Sequence, residues 1–148
     1  MKTLIDLIVA AIEADASLAE WCETNYESGP YLTIGVARHD APSLANSPAI
    51  NIFPFSRRKD SSQNYYIYGL GVHVAIVEDG ITVAGNRTTY TGIERVDEFA
   101  RMVEKIVTKT MNANGYASVQ SDDLTDVCEP PFFMAAITYA EVRVSLIP

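Results

Sequence analysis

His73 follows Gly69 and Gly71 at two-residue spacing in an apolar stretch, and an imidazole beside bare backbone is where a general base or a metal ligand could sit. A base needs a nucleophile or a second group at a defined spacing, and no such signature accompanies it, so His73 reads as a strand residue. His39, between Arg38 and Asp40, reads as a surface residue. The run Asp122-Asp123-Leu124-Thr125-Asp126, with Cys128 and Glu129 close behind, gathers carboxylates as hard-cation sites do. It lacks the glycine and the terminal bidentate glutamate of a calcium loop, which leaves a solvated acidic loop as the plainer account. Gly69-Leu70-Gly71 holds two glycines of a nucleotide fingerprint, but Val72 and His73 follow where a helix should start. Glycines inside a strand point instead to a bulge or to something packed closely on that face. Cys22 and Cys128 are far apart and form no CxxC unit, so they read as buried small apolar side chains in a reducing compartment. No catalytic constellation emerges, and neither enzymatic activity nor a cofactor nor a metal is expected.

The bulk properties bound what else the chain can do. Its 148 residues are enough for one domain with one core, and 48% hydrophobic content with aromatics throughout is too apolar for a solvated coil. Nineteen acidic residues against eleven basic give a formal charge of −8, which repels phosphate backbones. Nucleic acid is therefore not an expected partner. The one basic run, Arg57-Arg58-Lys59, is too short to track a duplex and reads as part of a solvated loop. The apolar stretch Leu4–Ile12 is interrupted by Asp6 and followed by Glu13 and Asp15, so a membrane span is not expected, and it lacks the basic start of a secretory signal. Asn86-Arg87-Thr88 matches a glycosylation sequon, but without an export signal it is only a turn.

The elements follow from periodicity. Leu4, Leu7, Ile8, Ala11, Ile12, Leu18 and Trp21 predict one helix over Lys2 to Cys22, ending before Gly29-Pro30. Tyr31–Ala37 and Ala49–Phe55 predict strands, with Pro54 marking an edge or a bulge, and Ser56–Asn64 predicts a mobile loop. Tyr65–Val77 alternates: Tyr66, Tyr68, Leu70, Val72, Val74 and Ile76 belong to the core, and Gly69, Gly71, His73 and Ala75 to the other face. Ile81–Ala84 predicts a short strand and Asn86–Tyr90 a loop. Ile93, Val96, Phe99, Val103, Ile106, Val107 and Thr110 predict a long amphipathic helix to about Ala113, stopped by Asn114-Gly115. A closing strand runs from Phe132 to Leu146 with its even positions inward. This order predicts a single α+β domain over residues 1–148, a mostly antiparallel sheet with two main helices on one face.

The N-terminal helix, the polar-tipped strand pair Ala49–Phe55 and Tyr65–Val77, the amphipathic helix Gly92–Ala113 and the closing strand resemble the tail terminator, or tail completion, proteins of long-tailed bacteriophages. Segments AINIFPF and YYIYGLGVHVAIV carry that resemblance. It implies a minor tail protein assembled in the bacterial host cytoplasm, a structural subunit whose sixfold homo-oligomeric ring caps the tail tube and joins tail to head. It also implies that exposed loops meet tube and connector proteins. The candidate contacts are Arg57, Arg58 and Lys59, Arg87 in the loop after Asn86, and Asp122, Asp123 and Asp126, whose charge would pair with a neighbour's basic loop. Two other readings stay open: a small-molecule binding or enzymatic domain with His73 and the glycine face lining a pocket, and a different head-tail connector or baseplate adaptor.

Overall fold

A computed structural model describes residues 1–35, 46–60, 64–116, 118–121 and 127–145. The predicted N-terminal helix is two helices, α1 (Lys2–Ala14) and α2 (Ala16–Tyr26). Asp15 separates them: its backbone is extended, and its carboxylate accepts a 2.8 Å hydrogen bond from the Leu18 amide, capping α2. An apolar spacing continuous across that break is what made the two look like one. Strands β1 (Tyr31–Ile34), β2 (Ala49–Asp60) and β3 (Tyr65–Val77) come next, then a hairpin of β4 (Ile81–Ala84) and β5 (Arg87–Tyr90). Helix α3 (Thr91–Ala113) leads to β6 (Ser118–Ser121), β7 (Val127–Glu129) and β8 (Phe132–Ser145). Gly115, at φ +73°, turns the chain out of α3 where Asn114-Gly115 is expected to stop it.

The large sheet has the order β1-β2-β3-β8-β6, with β7 also pairing with β8. All pairings in it are antiparallel except β1 with β2, which is parallel. The fold is α+β, as the pattern predicts. Leu70, Val72, Val74 and Ile76 of β3 pack with Leu4, Ile8 and Ile12 of α1, Leu18 and Cys22 of α2, and Val96, Phe99, Val103, Val107 and Met111 of α3. Each fully buried Ile or Leu of this set contributes roughly 1.5–3 kcal/mol of transfer free energy. Trp21 stacks flat on Phe99 at 5.1 Å between centroids, joining α2 to α3.

Two bulges decide which side chains face that core. Between Pro54 and Ser56, β2 carries one residue more than β3, so Pro54 marks a bulge. Opposite Tyr68 and Leu70, β8 also carries an extra residue. Phe133, Ala135, Ile137 and Tyr139 therefore face the core in its first half and Val142 in its second. The expectation that the even positions of this strand point inward fails before the bulge, because both parities of 132–140 are mostly apolar and alternation alone cannot choose between them.

Candidate functional site

On the sheet face away from the helices, Phe53 and Phe55 of β2 lie against the glycines of β3. A Cβ placed on Gly71 would come within 2.6 Å of Phe53 Cζ, and one on Gly69 within 2.5 Å of Phe55 Cε2. The glycines thus make room for rings of this same chain. His73 meets Phe53 edge to face at 4.8 Å between centroids and stands in register with Asn51 and Ala136. Asn51 is buried, and neither atom of its amide finds a hydrogen-bond partner among the described residues. An open groove of about 320 Å³ lies elsewhere, lined by Leu7, Ala11 and Asp15 with Ile106, Lys109 and Ala113, on the helix layer rather than beside His73. Among the described residues no three His, Cys, Asp or Glu side chains converge as metal ligands would, and no helix is long and apolar enough to cross a membrane.

The basic run is not in a loop. Arg57, Arg58 and Lys59 belong to β2 and stand opposite Tyr68, Ile67 and Tyr66, so the hairpin of β2 and β3 extends as a ladder to Asp60 and Tyr65. The expected mobile loop over Ser56–Asn64 is therefore strand as far as Asp60, because paired backbone can hold polar side chains outward as well as a loop can, and residues 61–63 lie outside the described residues. Arg58 donates a 2.6 Å charged hydrogen bond to Glu141 of β8, reaching across the intervening strand β3, where Ile67 is buried. The Arg57 guanidinium lies 4.6 Å from the Tyr66 ring centre, and that of Arg143 5.6 Å from Tyr65. All four cations are exposed.

At the other end of β3 the expected loop over Asn86–Tyr90 is a strand from Arg87 onward, and Arg87 lies on it opposite Ala84. Gly85, at φ +61°, opens a two-residue turn with Asn86 of the kind that matches hairpin twist. Every residue from Ile81 to Tyr90 is exposed. Ile81, Val83 and Tyr90 share one face by register, 56%, 68% and 37% exposed, and Ile93 in the first turn of α3 is 49% exposed. A run of mostly small polar residues hid this pattern, since four-residue strands leave too little alternation to detect.

The base of this hairpin is held firmly. Glu78 accepts from the Gly80 amide at 3.1 Å, Gly80 accepts from the Thr91 amide at 3.0 Å, and the Glu78 amide donates to Pro131 at 2.8 Å. Arg95 of α3 reaches Glu78 at 3.4 Å and donates to Asn25 of α2 at 2.6 Å. Burial pushes the neighbouring Tyr26 phenol up to about 12; the Glu78 charge adds to the rise and Arg95 opposes it. Burial likewise pushes the Cys22 thiol up to about 12, as expected of a core cysteine rather than a nucleophile.

No family model matches this chain, and no curated protein matches it significantly. Of the candidate contact residues, Arg57, Arg58 and Lys59 fall on one projection and Arg87 on the other, at opposite ends of β3. Asp122, Asp123 and Asp126, like His39, lie outside the described residues.

Proposed function

We propose that this chain is a structural assembly subunit of the tail terminator kind, working as a homo-oligomeric ring that caps a tail tube and joins tail to head. The observation that supports this most is the β4–β5 hairpin: an exposed apolar stripe on a base tied to α2, α3 and the turn that leads into β8. An isolated two-stranded hairpin is marginal in water, so a braced one that leaves Ile81 and Val83 exposed supports a role as a contact surface for another protein. Both outer edges of a two-stranded ribbon also leave backbone groups free to pair with a neighbour.

Replacing Ile81 and Val83 together by Ser tests the assignment. Folding stability should change by no more than about 0.5 kcal/mol per site, as at other exposed positions. Rings seen by negative-stain imaging of the parent chain should be lost in the variant. Rings unchanged by the double substitution would remove the hairpin from the contact, and absence of rings in the parent chain, alone or with tail tube protein, would remove the ring.

A further inference from the structure

We propose that the cationic ribbon of β2 and β3 in one copy docks on the acidic hairpin end of a second copy. This rests on the assembly reading above and names the surfaces that would orient it.

The ribbon presents Arg57 and Lys59 on one face with Tyr66 and Tyr68. Arg58 is already occupied by Glu141, whereas Arg57 and Lys59 form no ion pair among the described residues. The Tyr66 ring under Arg57 fixes the guanidinium before any partner arrives, which lowers the ordering cost of a contact.

The opposite end of the molecule is acidic. Around the contact of Arg95 with Asn25 and Glu78 lie the exposed carboxylates Glu23 and Glu27 beside α2, Asp79 in the turn after β3, and Glu94 and Glu98 on the first turns of α3. None of these five forms an ion pair among the described residues. Of the three local cations, Arg95 is engaged with Glu78 and Arg101 with Asp97 at 2.9 Å, while Arg87 near the hairpin tip forms no ion pair among the described residues, leaving five free carboxylates against one free cation.

Among the described residues, the acidic hairpin end of a subunit lies out of reach of that subunit's own ribbon. From Tyr66 to Glu78 the strand covers roughly 40 Å at about 3.3 Å per residue, several Debye lengths at physiological salt. The ribbon and the hairpin end can therefore meet only between copies, and a contact between unlike surfaces can repeat around a ring. A nucleic acid is disfavoured as the occupant because Arg58 is neutralised by Glu141 and the chain as a whole carries −8.

The test is a charge swap read by sedimentation velocity at 150 mM salt, with circular dichroism as the folding check. One variant carries Arg57→Glu and Lys59→Glu; the other carries Glu23→Lys, Glu27→Lys and Glu98→Lys. Each alone should associate at least tenfold more weakly than the parent chain, and an equimolar mixture of the two should recover association, because each then supplies the surface the other has lost. If the parent assembles and both folded variants assemble equally well, or if their mixture stays dissociated, the docking assignment is wrong while the assembly reading stands. If the parent never assembles, both fail. Binding of a short DNA duplex by the parent that the ribbon variant loses, with self-association unaltered, would assign the ribbon to nucleic acid instead.

Discussion

β3 ends in two different ways, and the contrast separates two kinds of surface. At Tyr65 it belongs to a ladder with β2 and β8 whose outward side chains are long cations, carboxylates and tyrosines. At Val77 it stops, and the chain enters a hairpin that pairs with no other strand among the described residues and exposes Ile81 and Val83. Charged side chains on a projecting ribbon keep it soluble and select partners by sign. Bare apolar side chains on a braced hairpin gain free energy only when something covers them. In the proposed assembly, one end would orient a neighbour and the other would hold it.

The largest expected effect separates the ends by pH. Between about pH 9 and 12 the unfolded chain releases protons from Cys22 and Tyr26 that the folded chain retains, since both groups are pushed up to about 12. Stability from this source is complete below about pH 9 and falls as pH rises toward 12. Both groups lie on α2, whose last turns brace the hairpin base, so the sole tryptophan, Trp21, tilted against Tyr26 at 5.7 Å, should report the loss in urea unfolding at pH 8 and pH 11. Cys22→Ala should lessen the difference between the two pH values. An equal loss in the parent and in Cys22→Ala would assign the alkaline change to other groups.

Arg95→Ala should cost about 2 kcal/mol, between the worth of an exposed and of a buried pair, because it leaves the largely buried Glu78 without its cation. The corresponding cut at the ribbon, Arg58→Ala, should cost under about 1 kcal/mol, since both partners there are solvated. Equal costs in denaturant titrations would erase the distinction between a braced and an unbraced projection. Gly71→Ala and Gly69→Ala make a finer comparison. Phe53 is 6% exposed and has little room to yield, whereas Phe55 is 51% exposed and can swing away. The first should cost roughly 1–2 kcal/mol and the second less than that.

Strong periodicity made much of this legible from sequence: α3, the inward face of β3 from Tyr68 to Ile76 and the α+β class all follow from the spacing of apolar side chains, whereas Tyr66, expected in the core, lies beyond it under Arg57 on the ribbon. The failures share a physical cause, which is that local pattern does not see pairing. Arg57 to Lys59 look like a loop because a ladder at the rim of a sheet can turn both faces to water. Thr88 and Thr89 look like a loop because a four-residue strand has no buried face. Phe132 to Ala140 look inward at the wrong parity because an extra residue opposite Tyr68 and Leu70 resets the alternation. The cationic candidates were found by type but misplaced, and the apolar stripe of Ile81, Val83 and Tyr90 was missed, because exposure of an apolar side chain is a property of the fold and not of the residue.

Sedimentation equilibrium of the parent chain beside the Ile81→Ser, Val83→Ser variant tests the central claim most directly. The parent should show a mass well above the 16.2 kDa of one chain and rising with concentration, and the equally folded variant should stay near that value. A parent that remains at one chain's mass up to the highest soluble concentration, or a variant that assembles as the parent does, would contradict it.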